Sequence, residues 1–199
     1  MTTGKQATEF YEDPPLARLA FSTARLSWLW LIIRVWLGYN WVEAAVSHKI
    51  GNPAWVTTGA AIKGFWQHAI AVPAGGKPPI AYDWYRDFLA WLLSIHAEVL
   101  MGKVIAYGEL VVGIALIVGA FVGIAAFFGA FMNWNFMMAG TASTNPMLLA
   151  AAVLLILAWK VAGYYGVDRY LLPVLGTPWR PGRMFMDGGP MTPAYTAKG

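Results

Sequence analysis

The chain contains no cysteine among its 199 residues. This absence excludes disulfide bonds, thiolate catalysis, cysteine-ligated zinc and iron–sulfur clusters within the chain. It says nothing about the compartment, because there is no thiol to oxidise. Histidine is also scarce, and the three histidines, His48, His68 and His96, all lie in or beside one polar segment. No histidine lies in the middle of a long apolar run, so we expect neither an intramembrane haem pair nor a metal site.

Charged residues are also scarce. Charged residues make up 12% of the chain, whereas a soluble domain usually carries about a quarter. Hydrophobic residues make up 58%, and the mean hydropathy is +0.52. The net charge of +4 is modest and spread along the chain, which indicates membrane topology and not a nucleic-acid surface. With 11 Trp, 10 Phe and 9 Tyr for interfacial belts, the sequence predicts an integral protein of the lipid bilayer.

Four apolar segments are candidates for membrane spans, each of which needs roughly 20 apolar residues. The second and third divide one long apolar run at a tight, charge-free turn near Gly119 and Gly123. Asn145-Pro146 is a turn signal before the fourth, and Pro146 suits the first turn of a helix. The fold class predicted is an all-α membrane protein, a four-transmembrane-helix bundle with spans at about 27–46, 104–121, 123–140 and 147–165. This membrane domain, 27–172, lies between an N-terminal segment, 1–26, and a Pro/Gly-rich tail, 173–199, expected to be extended or disordered.

Residues 48–103, between the first two spans, are predicted to hold two amphipathic helices on the outer surface. In Val56–Val72 the apolar face carries Ile62, Phe65, Trp66, Ala69 and Ile70. In Ile80–Leu100 it carries Trp84, Phe88, Trp91, Leu92, Ile95 and Val99. A lid that packs on the bundle without any chemistry is the alternative. Four spans put both termini on one side, and the distribution of Lys and Arg predicts that this side is cytoplasmic, because long loops count less. A cleaved signal peptide is not expected.

Two carboxylates are predicted at a similar depth near the outer membrane boundary. Glu109 lies about 7–8 Å into the second span, and Glu43 lies near the outer end of the first, followed by His48 and Lys49. Acids within a membrane are functional candidates, so Glu43, Glu109 and His48 are the candidate catalytic residues, handling protons. The alternatives are structural ion pairs, from Glu43 to Lys49 or Lys103 and from Glu109 to Lys103.

Arg34 lies deeper, about 12 Å into the first span from the inner side. Asn133 is at a matching depth in the third span, flanked by Trp134 and Asn135. A buried arginine must face a partner or an anionic ligand, so we expect Arg34 to contact Asn133 or Asn135. A structural arginine bound to amide and backbone groups is the alternative. Lys160, near the inner end of the fourth span, is expected to extend its ammonium to the interface.

Five stretches together resemble the DoxX/DoxD family of bacterial and archaeal four-helix membrane proteins, over roughly residues 25–173. They are RVWLGYNWVEAAVSHKI (Arg34–Ile50), PPIAYDWYRDFL (Pro78–Leu89), YGELVVGIALIVG (Tyr107–Gly119), MNWNFMMAGTASTNP (Met132–Pro146) and AWKVAGYYGVDRYLLP (Ala158–Pro173). The resemblance implies the membrane subunit of a thiosulfate:quinone oxidoreductase in a prokaryotic cytoplasmic membrane, working with a partner subunit that resembles DoxA. It implies that thiosulfate is oxidised to tetrathionate and that a quinone accepts the electrons.

The residue roles rest on depth and charge and are not transferred from the family. A quinone needs an apolar slot with a few polar groups, and the candidate quinone-binding residues are Arg34, Asn133, Trp134 and Asn135. Lys49 and Lys103 are expected to attract thiosulfate at the outer face. The alternative function is a non-catalytic membrane anchor or assembly subunit of a redox complex, and a homo-oligomer is a further expected assembly. A small-molecule transporter is disfavoured, since no internal repeat is evident.

Overall fold

The computed structural model describes residues 13–176, and within this range its regular elements are all helices, without a strand. The first helices in chain order are α1 (Pro15–Phe21) and α2 (Ser27–Ala45), followed by a π-helical turn at Val46–Ile50. Above the bundle lie α3 (Pro53–Val56), α4 (Ala60–Ile70) and α5 (Asp83–Ser94). The remaining helices are α6 (Glu98–Val118), α7 (Val122–Met138), α8 (Asn145–Leu157) and α9 (Asp168–Leu175).

Four of these helices are apolar, and they differ in length. Among residues 13–176, α6 is the one straight helix that is long and apolar enough to cross a membrane. Pro15–Phe21 and Ala24–Ile50 pass the same test only as a pair, which is bent by 56°. The helices α7 and α8 are apolar but shorter, with 17 and 13 residues. At 1.5 Å per residue they are about 26 and 20 Å long, against a hydrocarbon core of about 30 Å.

The helix ends agree with the predicted turns in two places and not in a third. The turn between α6 and α7 contains Gly119, whose φ of +72° is the left-handed conformation that glycine adopts without steric cost. Gly123 lies inside α7, where the absent Cβ leaves room for Trp159. Pro146 lies in the first turn of α8, as expected. However, α8 ends at Leu157, and a series of turns replaces the rest of the predicted fourth span.

The core of the bundle is built from α2, α6, α7 and α8, with α2 packed mainly on α6 and α7 mainly on α8. Small residues permit this close approach. A Cβ on Gly38 would lie 2.7 Å from the Gly113 carbonyl oxygen, and a Cβ on Gly113 would lie 2.8 Å from the Val42 nitrogen. These distances are too short for any side chain, so α2 and α6 meet backbone to backbone, as in small-residue helix pairs of membranes.

The helices α3, α4 and α5, which we call the outer helices, cover one end of the bundle and enclose a second apolar core. The predicted face of α4 is confirmed, since Ile62, Trp66 and Ala69 are buried in that core. The predicted second helix, Ile80–Leu100, was wrong in extent, because the chain leaves α5 after Ser94 and begins α6 at Glu98. It was also wrong in phase. The buried face of α5 consists of Tyr85, Leu89 and Leu92, of which only Leu92 was predicted, and the predicted Trp84, Phe88, Trp91 and Ile95 are exposed.

Candidate functional site

A buried ion pair lies in the interior of the bundle beneath the outer helices. Lys49 Nζ is 2.7 Å from Glu109 Oε2, and the two side chains are 11% and 1% exposed. Lys49 lies in the π-helical turn that follows α2, and its ammonium is also 3.4 Å from the carbonyl oxygen of Ala44. The centroid of the Trp55 ring lies 5.1 Å from that ammonium, in a cation–π contact. A pair held this far from water is strongly coupled, because losing either charge would leave the other unpaired.

Glu43 belongs to a separate pair at the surface. His48 Nε2 is 3.2 Å from Glu43 Oε1, and these side chains are 66% and 42% exposed. Each carboxylate thus has its own basic partner, and the expectation that Glu43 and Glu109 border one pocket stays a prediction. The expected structural pairs with Lys103 are wrong. Lys103 is exposed and Lys49 is buried, and their expected attraction of thiosulfate stays a prediction.

Arg34 does not contact Asn133 or Asn135, and that prediction was wrong. Its Nη1 donates to the carbonyl oxygens of Leu116 and Ile117 at 2.6 and 2.7 Å, and its Nη2 donates to that of Tyr165 at 2.8 Å. A Cβ on Gly119 would lie 2.8 Å from Arg34 Cζ. The guanidinium thus satisfies carbonyls at the end of α6 that have no partner within the helix, which is the structural alternative.

Asp168 stabilises the other half of the same turn. Its carboxylate accepts from the backbone N–H groups of Phe121 and Val122, at 2.6 and 2.9 Å, where α7 begins. Its own N–H donates to the Gly119 carbonyl oxygen at 2.8 Å. An anion at the start of a helix and a cation at the end of another both complement the helix dipoles. Arg34 and Asp168 together therefore anchor the α6–α7 turn.

A group of unpaired polar atoms lies farther out along α7. Asn133 is fully buried, and neither its Nδ2 nor its Oδ1 has a hydrogen-bond partner among residues 13–176. Trp41 on α2 is 3% exposed, and its Nε1–H has no partner within the same described range. Such atoms are uncommon in folded proteins, and each requires an explanation such as bound water or a ligand.

An apolar slot of about 450 Å³ runs between α6 and α7 beneath α4 and α5. Several of its lining residues on α6 and α7, Val104, Val111, Phe128 and Phe131, are more than half exposed. The slot therefore opens on the flank of the bundle. Its aromatic walls are Phe65, Trp66, Phe88, Phe128, Phe131 and Phe136.

Tyr85 and Asn135 provide the polar groups of the slot. The Tyr85 hydroxyl lies 3.0 Å from both the main-chain oxygen and Oδ1 of Asn135, and it donates its hydrogen to one of them at a time. Burial raises the pKa of Tyr85 to about 12, so the phenol keeps its proton throughout the neutral range. Trp134 packs edge-on against Tyr85 at 6.2 Å between ring centroids. Of the four predicted quinone-binding residues, Asn135 lines this slot, Trp134 borders it, and Arg34 and Asn133 do not line it.

Three residues of these sites were missed by sequence reasoning. Tyr85 lies in a helix where both faces are apolar, and the wrong face was chosen. Trp41 appears in the sequence as one of many aromatic residues, and nothing marks its indole as unpaired. Asp168 carried a usable signal, because it is an isolated acid directly after the fourth apolar segment.

Comparison of the chain with protein-family models, with curated proteins and with solved structures finds no match. Among residues 13–176 there is no group of His, Cys, Asp and Glu that could hold a metal ion. The described residues bring together an apolar slot with the hydrogen-bonding groups of Tyr85 and Asn135, and a buried ion pair between Lys49 and Glu109.

Proposed function

We propose that the chain is the membrane subunit of a quinone-linked oxidoreductase. The observation that carries the proposal is the slot with Tyr85 and Asn135. A quinone is a flat apolar ring with carbonyl oxygens, and it requires an apolar cavity, aromatic walls and a few directed donors. The slot has all three, and its opening on the flank of the bundle suits a ligand that diffuses within the bilayer. The resemblance to the DoxX/DoxD family supports thiosulfate as the electron donor and tetrathionate as the product.

Hydrogen bonding fits the proposed ligand at specific atoms. The Tyr85 hydroxyl can turn from Asn135 towards a carbonyl oxygen in the slot, and its high pKa keeps it a donor. Asn135 Nδ2 already donates to the Phe131 carbonyl oxygen at 2.8 Å, which orients the amide. The quinone supplies the redox chemistry, while these side chains bind and orient its carbonyl groups. The electron path from the donor involves a partner subunit, for which the family resemblance favours a DoxA-like protein.

The proposal includes the membrane arrangement. We propose that α2, α6, α7 and α8 cross the cytoplasmic membrane of a prokaryote with both termini inside and with α3, α4 and α5 on the outer side. The bent α1–α2 pair and α6 have the length of a span, and the turns after α8 extend the shorter fourth helix. The exposed apolar side chains of α6 and α7 support this arrangement, since bilayer contact would remove them from water. They are Val104, Val111, Ile114, Ile124, Phe127 and Phe131.

Tyr85→Phe tests the slot directly. The variant keeps the ring and removes the hydroxyl, so the affinity for a short-chain quinone analogue should fall by about tenfold, the effect of one hydrogen bond of about 1.4 kcal/mol. The matched control is Tyr82→Phe, because Tyr82 immediately precedes α5, is 57% exposed and does not line the slot. Analogue binding is measured with the purified protein in lipid nanodiscs. Equal affinities for the two variants would refute the slot as the quinone site.

A second candidate function is a non-catalytic anchor for a partner protein. One observation favours it: Trp84, Phe88, Trp91 and Ile95 form an exposed apolar row along α5, between 40% and 57% exposed. Such a row suits a protein partner or the membrane interface. Purification of the native complex separates the candidates. A stoichiometric partner without quinone or redox activity favours the anchor, and bound quinone favours the oxidoreductase.

A further inference from the structure

The Lys49–Glu109 pair, Asn133 and Trp41 lie within about one helical turn of one another inside the bundle, and we call them the polar cluster. A Cβ on Gly108 would lie 3.8 Å from Met132 Sδ. Since α6 and α7 run in opposite directions, Glu109 and Asn133, which follow these two residues, are offset by about 3 Å along the bundle. Trp41 Nε1 would lie 3.1 Å from a Cβ on Gly129. Because Gly129 is four residues before Asn133, the two share a face of α7, so the indole lies on the same face as the amide and about one turn from it.

The unpaired atoms of the polar cluster need a partner. Leaving a buried donor or acceptor without a hydrogen bond costs about 1–3 kcal/mol. If Asn133 Nδ2, Asn133 Oδ1 and Trp41 Nε1 all stayed unpaired, the fold would be destabilised by several kcal/mol. This is a large part of the roughly 5–15 kcal/mol free energy of unfolding of a typical domain. Buried water commonly resolves such a deficit when a few polar groups converge. The amide offers a donor and an acceptor, the indole offers a donor, and the carboxylate offers acceptors.

The polar cluster is next to the slot. Gly108, Val112 and Met132 line the slot, and the same stretches of α6 and α7 carry Glu109 and Asn133 on their interior side. Between the slot and the polar cluster, Gly108 has no side chain, and the long side chain of Met132 lies opposite Gly108. The titratable groups that face Glu109 are Lys49 and His48, both from the turn after α2. Neighbouring residues on α6 and α7, namely Gly108, Val112, Met132 and Asn133, carry no charge.

We propose that the polar cluster binds internal water and that this water carries protons between Glu109 and the slot. The proton route rests on the proposed function, whereas the water site does not. Reduction of a quinone to a quinol takes electrons from the donor and one proton on each carbonyl oxygen. Each proton leaves the water bound at Asn133 and Trp41, and that water regains a proton from the Lys49–Glu109 pair. The pair then takes up a proton from the outer side, which restores both of its charges.

The water site is tested by X-ray radiolysis of the purified protein in ¹⁸O-labelled water, followed by mass spectrometry of each tryptophan. Trp30 is the matched control: it lies on the same helix and is 4% exposed, but its Nε1–H donates to the Ala20 carbonyl oxygen at 2.8 Å. Trp41 should be labelled several times faster than Trp30, because bound water is the local source of hydroxyl radicals. Equal labelling of the two tryptophans would overturn the water site.

The Asn133→Leu variant tests the proton route. Leucine keeps the volume of the side chain and removes both hydrogen-bonding groups, so Trp41 labelling should fall to the rate of Trp30. Binding of a quinone analogue should be unchanged, while quinone reduction should fall several-fold. Full reduction by a folded Asn133→Leu protein would contradict the route. If that variant does not fold, Asn133→Thr keeps one hydroxyl, and intermediate Trp41 labelling with intermediate reduction is the expected result. If the unmodified chain binds no quinone analogue, the proposed function fails, and the labelling still decides whether water is bound.

Discussion

Arg34 connects three parts of the chain through one guanidinium. Replacing it with leucine would remove the donors from the carbonyl oxygens of Leu116, Ile117 and Tyr165, of which the first is buried and the others are partly buried. We expect Arg34→Leu to destabilise the fold by about 3 kcal/mol or more, since hydrogen bonds to charged groups contribute about 1.5–3 kcal/mol each. Arg34→Lys should recover only part of this, because the planar fork is lost. Thermal unfolding in detergent measures both variants.

The control for this prediction is Arg86→Leu. Arg86 makes a pair with Asp83 on the same helix, three residues apart, at an exposed position. Such pairs contribute little, about 0.3–0.5 kcal/mol. An Arg34→Leu protein that unfolds at the same temperature as Arg86→Leu would show that the Arg34 contacts do not stabilise the turn.

Lys49 and Glu109 should behave as a coupled unit. Lys49→Met leaves a buried carboxylate without its partner, so we expect a loss of about 3–5 kcal/mol. The double variant Lys49→Met, Glu109→Gln should lose less than the sum of the two single variants, because both charges are removed together. Unfolding of the four proteins gives the coupling energy. Glu43→Gln is the control, and its exposed pair with His48 should contribute at most about 1 kcal/mol. Additive effects of Lys49→Met and Glu109→Gln would argue against a buried pair.

At the scale of elements, the contact between α2 and α6 depends on two glycines. Gly38→Ala places a methyl group 2.7 Å from the Gly113 carbonyl oxygen, so the helices must separate. We expect a loss of about 1–3 kcal/mol, the usual effect of overpacking. Gly64→Ala is the matched control on α4, where a Cβ meets nothing within 4 Å; alanine should stabilise that exposed helix by up to about 1 kcal/mol. Equal stability of the two variants would show that α2 and α6 are not in backbone contact.

The elements also show where sequence reasoning succeeds and where it fails. The face of α4 was predictable because its apolar residues recur with a single helical phase. The face of α5 was not, because Trp84, Phe88 and Trp91 compete with Tyr85, Leu89 and Leu92. The partner of Arg34 was missed for a geometric reason. Counting depth assumed that all spans begin in one plane, whereas about 10 Å of α2, from Ser27 to Arg34, extends beyond the α6–α7 turn.

At the scale of the whole molecule, the proposed orientation can be read with introduced cysteines, since the native chain has none. Thr58 precedes α4 and is exposed, and Tyr170 on α9 is 74% exposed. A membrane-impermeant thiol reagent should label Thr58→Cys in intact cells and should label Tyr170→Cys only after permeabilisation. Labelling of Tyr170→Cys but not of Thr58→Cys from outside would reverse the orientation. Labelling of both positions from outside would contradict the three crossings proposed between them, α6, α7 and α8.

The central claim is that this chain links an electron donor to the quinone pool. The most direct measurement is thiosulfate-dependent reduction of a quinone analogue by membranes prepared with and without the chain, with any partner subunit present in both. We expect reduction only where the chain is present, a severalfold lower rate with Glu109→Gln across pH 5–8, and an unchanged rate with Lys77→Gln, which alters an exposed lysine between α4 and α5. Equal thiosulfate-dependent reduction in membranes that contain the chain and in membranes that lack it would contradict the account.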